Sequence, residues 1–193
     1  MKTLILTLVV ISFTTSTVFA QAASVLKKDI KKLNKQETVL KEKKKKDRIT
    51  LRKLEGKEVS VQSKNQFYTD FGDIKGVTWN RDNYYDVATF TQDGKQTKAF
   101  YDPEAELIGT IQAAKLTDLP ASARKQIKKD YPNDAIDRVI FFDDNESNDT
   151  DMLLYNSQFE DEDSYFVELS GKGERIVLHV TEDGNVLFFA NLK

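Results

Sequence analysis

Cysteine is absent from all 193 residues, and histidine occurs only once. Without cysteine there are no disulfides, no thiolate zinc sites and no thiol nucleophile. Any metal site or acid–base couple built on histidine must rest on His179 alone, with carboxylates converging from elsewhere. No HExxH, GxSxG or P-loop pattern occurs. Long apolar runs are also missing: the most apolar stretch, MKTLILTLVVISFTTSTVFA, is interrupted by Ser12, Thr14, Thr15, Ser16 and Thr17. What remains is short for a bilayer core of about 30 Å. Its layout, basic Lys2, an apolar middle and small residues at the end, is that of a secretory signal peptide cleaved after Ala20, with a retained anchor as the alternative. No cysteine follows that could accept a lipid. An exported chain without disulfides depends on its core, and a 10% aromatic content supplies large side chains to build one.

Charge is nearly balanced, but unevenly spread. Residues 27–55 hold 13 Lys and Arg against 5 Asp and Glu, whereas residues 56–193 hold 15 against 26. The first stretch lacks Gly and Pro and is rich in Leu, Lys and Glu, which predicts a helix. Leu26, Ile30 and Leu33 share one face of it, while Glu37, Lys44 and Asp47 interrupt a continuous heptad seam. A short coiled coil and a solvated helix resting on a neighbour both fit. The run KEKKKKDR, Lys41 to Arg48, reads either as a solvated face or as a docking surface for anionic headgroups or polysaccharide. No aromatics are interleaved for base stacking, so no nucleic-acid partner is expected.

After Gly56 the periodicity changes. Phe67 and Phe71, four apart before Gly72, predict a short helix with an aromatic stripe. Strand patterns follow in VTWNRDNYYDVATF, broken at Asn80 to Asn83, and in TKAFYD, reached through an Asp93-Gly94 turn. KAFYD places Ala99 and Tyr101 on one face and Phe100 on the other. Asp102-Pro103-Glu104-Ala105 has turn chemistry, and ELIGT leaves as the next strand. A second helix, PASARKQIKKDYP, then precedes strands in AIDRVIFF, MLLYNSQF, SYFVELS, ERIVLHVT and NVLFFAN. A shift of 79 residues superposes Ala88 on Val167, Phe90 on Leu169, Gly94 on Gly173, Ala99 on Leu178, Tyr101 on Val180 and Ala105 on Gly184. Coincident turns and core positions are the mark of an internal repeat. The second copy carries an extra segment, FFDDNESNDTDMLLYNSQFEDED, which predicts one added strand between two acidic loops.

With these positions in view (Trp79, Ala88, Phe90, Gly94, Ala99 to Asp102, Leu107, Leu119, Pro120, Tyr131, Pro132, Asp183 and Gly184), residues 64–193 resemble the PepSY-like, beta-lactamase-inhibitor-protein-like secreted proteins of Bacteroidetes. The resemblance implies an α+β fold: an N-terminal helix, then two tandem helix-plus-antiparallel-sheet units. It also implies that a concave sheet face grips another protein, with no established activity for most members. Ala105 departs from the family's glycine, so its turn is expected to use a conformation alanine tolerates.

The expected organisation is a signal peptide at 1–20, a lysine-rich helix at 21–56 and a tandem-repeat domain at 57–193, with units of about 57–115 and 116–193. Expected function is that of a periplasmic or secreted binding module, not an enzyme, whose anchors on an envelope or extracellular protein are Tyr84, Tyr85, Phe100 and Phe188. The alternative is an envelope-associated structural protein that docks or self-associates through residues 24–55. No cofactor is expected beyond weak calcium. Asp143, Asn145 and Asp149 fall on alternate positions as in an EF-hand loop, although Asn148 stands in place of the bend glycine and Leu154 in place of the bidentate Glu. His179 is expected to be structural, and the acids Glu160 to Asp163 share one solvated environment that offers no acid–base split. Trp79, Phe90, Tyr101, Ile127, Tyr131, Val167, Leu178 and Val180 are the expected core.

Overall fold

Leucine, lysine and glutamate without a helix breaker give helix where the sequence predicts it. The computed structural model describes residues 25–36, 38–40, 42–44, 46, 47, 50, 51, 53, 54 and 56–192. The expected signal peptide lies outside them. The chain separates into two units, Met1–Thr50 and Leu51–Lys193. Every described residue of the first is helical (α1, within 25–50), and Leu26, Ile30 and Leu33 are 61%, 56% and 61% exposed.

The second unit carries the sheet. Helix α2, Val61–Phe71, starts where the Ser60 hydroxyl accepts from the Ser63 amide at 2.9 Å and stops at Gly72, whose φ is 77°. Strands β1 Thr78–Arg81, β2 Asp86–Gln92, β3 Lys95–Tyr101 and β4 Leu107–Ala114 follow, then a short 3-10 turn, Leu116–Asp118, and helix α3, Ala121–Asp130. Next come β5 Ala135–Asp144, the small β6 Leu153–Leu154 and β7 Ser157–Gln158, and finally β8 Ser164–Gly171, β9 Glu174–Thr181 and β10 Val186–Leu192. Eight strands form one antiparallel sheet in the order β1-β2-β3-β4-β5-β8-β9-β10, while β6 and β7 pair only with each other.

Side-chain alternation divides the core into two layers. On one side, Phe67 of α2 packs on Ala88, Phe90, Ala99 and Tyr101, and Ala123 and Ile127 of α3 pack on Val139, Val167, Leu169, Leu178 and Val180. Phe100 points to the other side, as the alternation of KAFYD predicts, where it joins Ile108, Ile140, Phe142, Phe166 and Val177. Each fully buried large apolar side chain contributes about 1.5–3 kcal/mol. Of the expected core, Trp79 and Tyr131 are half-buried and the remaining six are buried.

One polar contact is buried in the α2 layer. Asp86 is fully buried and accepts from Arg81 Nε at 2.6 Å, Arg81 Nη2 at 2.8 Å, the Ser63 hydroxyl at 2.8 Å and the Ser60 amide at 3.1 Å. It thereby ties the start of α2 to β1 and β2.

Two expectations need correction. MLLYNSQF is a hairpin of two very short strands, because Tyr155 and Asn156 take left-handed φ values of 51° and 64° and reverse the chain. Ala105 also adopts a left-handed φ, 64°, instead of a conformation comfortable for alanine. The turn is held in that shape by Asp102, which is 2% exposed and whose carboxylate accepts from the Glu104 and Glu106 amides at 2.9 and 3.0 Å.

Candidate functional site

Tyr85 and Phe100, two of the expected anchors, lie in the sheet layer opposite the helices, and the segment between β5 and β8 covers much of that layer. Met152 and Phe159 from that segment are 1% and 6% exposed and sit in the cluster with Phe142 and Phe166. The Phe159 ring meets Phe142 edge-on at 5.0 Å and Phe166 at 4.9 Å. Polar contacts tether the rest. Asn145 and Asn148 donate from Nδ2 to the Leu107 carbonyl at 2.6 and 3.1 Å, the Leu153 amide donates to the Tyr85 hydroxyl at 2.8 Å, and the Tyr155 hydroxyl donates to Glu168 at 2.7 Å. Glu168, buried in β8, also faces Arg138 at 3.7 Å and Arg175 at 3.5 Å. Burial first, and then the Glu168 carboxylate beside it, raise the Tyr155 hydroxyl well above the ordinary tyrosine range.

The four expected anchor aromatics therefore separate. Tyr85 and Phe100 are 5% and 8% exposed and touch edge-on at 5.8 Å under the inserted segment. Burial takes both away from the surface, which corrects the expectation that they are displayed. Tyr84 is half-buried against the same cluster, 6.0 Å from Tyr85. Phe188 alone is open, at 58%, and it lies on β10 at the far end of the strand order.

Among the described residues β10 is an edge strand, paired only with β9. Phe188 stands opposite Leu178 of the helix-side layer, and Leu187, 56% exposed, stands opposite His179 of the other layer. The open edge thus carries one large apolar side chain on each side of the sheet. Sequence reasoning missed Leu187, although the run VLFFA within β10 holds more apolar residues than one buried face of a strand can use. The bulge between Phe188 and Ala190 turns Phe189 inward, toward Phe166 at 5.0 Å.

His179 is a core residue. It is 8% exposed, stacks on Phe166 at 5.1 Å, and its Nε2 shares a 2.7 Å hydrogen bond with the Ser164 hydroxyl. Burial lowers its pKa and the nearby Glu160 partly opposes this, so the ring is neutral at pH 7.

The expected calcium ligands sit at the end of β5 and in the loop after it. Asp143 and Asp149 are exposed, and the amide of Asn145 is engaged with Leu107 and with the Ser147 amide. Among the described residues no three His, Asp or Glu side chains converge as a metal site needs. The notable acids lie one position on. Asp144 is raised to about 7, first by burial, then by the charge of Asp161 and a hydrogen bond with it, and by Asp163, against a lowering contact with the Asn145 backbone. Asp163 accepts from the Asp144 amide at 2.8 Å. Asp143 is raised too, by burial, Asp163 and Glu146.

Comparison with protein-family models and with curated proteins gives no match. Solved structures do share the fold. A DUF2874 family protein from Bacteroides uniformis aligns with a TM-score of 0.57 at 15% identity, over 69% of this chain and 90% of that one. A candidate periplasmic protein from Bacteroides eggerthii aligns with a TM-score of 0.56 at 16% identity, over 69% and 89%. A BLIP-like protein from Bacteroides fragilis aligns with a TM-score of 0.53 at 17% identity, over 70% and 87%. The α+β fold with one large antiparallel sheet is thus the fold of BLIP-like and DUF2874 proteins. Among the described residues no helix is long and apolar enough to cross a membrane.

Proposed function

We propose that the chain is an exported, non-enzymatic binding module of the bacterial envelope, periplasmic or secreted, that holds a protein partner on the open β10 edge of its sheet. The observation that carries this reading is the pair Leu187 and Phe188, both more than half exposed on a strand with one side unpaired. An extended segment of another protein can add to such an edge through main-chain hydrogen bonds, with one apolar anchor above and one below. The likeness to BLIP-like and candidate periplasmic proteins supports the location and the class.

In this reading the sheet domain, 57–193, consists of two PepSY-like units in tandem, about 57–115 and 116–193, behind a signal peptide at 1–20 and a basic helix at 21–56. Coincident geometry supports the repeat. Under the shift of 79, the left-handed pair Asp93-Gly94 falls on Lys172-Gly173, and Ala105 falls on Gly184, with φ values of 64° and 82°. The strand partners Ala88 and Ala99 likewise fall on the partners Val167 and Leu178.

The test is capture from envelope extracts of the source bacterium. A partner retained by the intact protein should be lost by a folded Leu187→Asp/Phe188→Asp variant, and equal capture by both proteins refutes the edge. A second reading rests on a different observation, the exposed row Leu26, Ile30 and Leu33: α1 pairs with a second copy or docks on an anionic surface through the run Lys41 to Arg48. Removal of residues 24–55 should then abolish dimerisation in sedimentation, or surface attachment in fractionation, while the sheet domain stays folded.

A further inference from the structure

A cavity of about 740 Å³ lies within the second unit, near the opposite edge of the sheet from β10. That volume falls in the range of about 300–1,000 Å³ of small-molecule pockets. Lys53 and Lys57 line it from the segment before α2, Lys64 from α2, Trp79 and Asn80 from β1, and Asn83 from the turn after β1. Its charges are unequally committed. Arg81, also lining it, is held by Asp86 through two hydrogen bonds, so that pair forms a neutral floor. Asp82 accepts from the Tyr84 and Tyr85 amides at 2.7 Å each, so its carboxylate is engaged in shaping the turn. Lys53, Lys57 and Lys64 have no side-chain partner among the described residues. Among the described residues the lining sets Lys53, Lys57, Lys64 and Arg81 against Glu58 and Asp82, so the site stays cationic on balance even with Asp86 counted beside Arg81.

The floor is also rigid. The same Asp86 that neutralises Arg81 accepts from Ser60 and Ser63, so the cap of α2 and strand β1 are fixed relative to each other. Trp79 is fixed from behind, by Phe67 edge-on at 5.5 Å and by Tyr101 at 6.1 Å. A half-exposed indole held in place, two side-chain amides and three ammonium groups make a defined combination. The indole offers a flat apolar wall to the C–H face of a sugar ring, the amides match hydroxyl groups, and the lysines match carboxylates or sulfates. Phosphate recognition commonly relies instead on a free Arg fork or on the amides of a helix N-terminus. Here the Arg is engaged and the cap of α2 is occupied by Ser60 and Asp86.

We propose that this cavity binds an acidic oligosaccharide, stacking one ring on Trp79 and pairing its anionic groups with Lys53, Lys57 and Lys64. It is a second site, independent of the β10 edge. Trp79 is the only tryptophan in the chain, so its fluorescence reports on this cavity alone.

The experiment titrates the purified protein with tetragalacturonate, a sulfated heparin tetrasaccharide and neutral maltotetraose while following that fluorescence. A saturable change with an acidic tetrasaccharide, weakened by added salt and absent with maltotetraose, is expected. The first two arms tell carboxylate from sulfate recognition. Lys57→Glu/Lys64→Glu changes two exposed side chains and leaves Asp86 and Trp79 in place, and it should weaken binding about tenfold or more. Calorimetry on Trp79→Ala should show a comparable loss. No change with either acidic ligand overturns the proposal, and so does a change that maltotetraose reproduces or that survives both variants.

Discussion

The stretch from Val61 to Ala114 and the stretch from Ala121 to Leu192 each run helix first, then four strands of the main sheet. They solve the same connections in different ways. Between its first two strands the earlier stretch has a turn of four residues, shaped by Asp82, whereas the later one has the β6–β7 segment between β5 and β8. The earlier stretch secures its helix with the buried Arg81–Asp86 pair, and the later one with apolar contacts around Ala123 and Ile127. Helix and strands follow the same order in both stretches, and the individual character lies in what is attached to them. The attached segment caps a sheet layer that both stretches share, because Phe100 and Ile108 of the first and Phe142 and Phe166 of the second lie in one cluster beneath it.

Removing the cap's main side chain should have the largest effect. Phe159→Ala should destabilise by about 3–5 kcal/mol, the cost of deleting a buried ring whose neighbours cannot fully close in. Chemical denaturation should show a lower midpoint. A change below about 1 kcal/mol would mean that the segment rests on the sheet without contributing to its core.

Next in size is the pair peculiar to the first stretch. Arg81→Ala leaves Asp86 without its cation, and a broken buried pair costs about 3–5 kcal/mol. The Ser60 and Ser63 donors remain and hold the effect near the lower end. Arg81→Met/Asp86→Leu, which removes both charges, should recover most of the loss. If the double variant is as unstable as the single one, the pair stabilises through geometry and not through mutual neutralisation.

The frame was legible in the sequence for physical reasons that the cap does not share. Phe67 and Phe71 lie four apart, KAFYD alternates, and Asp93-Gly94 is chemistry suited to a left-handed turn, so each announces its element locally. Met152 and Phe159 sit among acids in a polar stretch, and only contacts with residues far along the chain make them core. Tyr155-Asn156 has no glycine, and its aromatic reads as strand. The same limit applies to the candidate site: Tyr85, Phe100 and Phe188 read alike as strand aromatics, and what separates them is a cover that pattern alone does not reveal.

The two stretches also differ at a left-handed turn position, with a smaller expected effect. Ala105 and Gly184 share a positive φ, yet their surroundings differ. A Cβ added at Gly184 would overlap the Ser122 hydroxyl and lie 3.0 Å from Pro120 Cβ, at the start of α3. Gly184→Ala should therefore cost about 1–2 kcal/mol from the backbone alone, with a further penalty for moving Ser122. Ala105→Gly should change stability by no more than about 0.5 kcal/mol, because relief of the left-handed strain is offset by added unfolded-state entropy and a lost buried methyl. Thermal melts of the two variants decide it, and equal effects would show that the backbone angle alone governs both turns.

The smallest expected effect concerns pH and belongs to the later stretch, where the end of β5 meets the segment's return. Asp144 has a folded-state pKa of about 7, above its ordinary 3.8, because it is partly buried beside Asp161 and Asp163. Between those values the folded protein binds more protons than the unfolded chain, so stability falls as pH rises through 7 and is regained on mild acidification. The group is partly buried and still reached by solvent, and screening keeps the effect to about 1 kcal/mol or less. His179 acts in the opposite sense: burial lowers its pKa from 6.5, so its contribution is present above that value and is lost at lower pH. Stability should therefore peak on the mildly acidic side of neutrality, with a shallow decline toward pH 8.5 set by the carboxyl pair and a decline in acid set in part by the imidazole. Asp144→Asn removes the first and not the second. Its melting temperature should be nearly flat from pH 6.5 to 8.5, and higher than that of the parent at pH 8.5. A parent protein already flat over that range, or a variant that keeps the slope, would show that the acids at this junction are each solvated separately and do not share a proton.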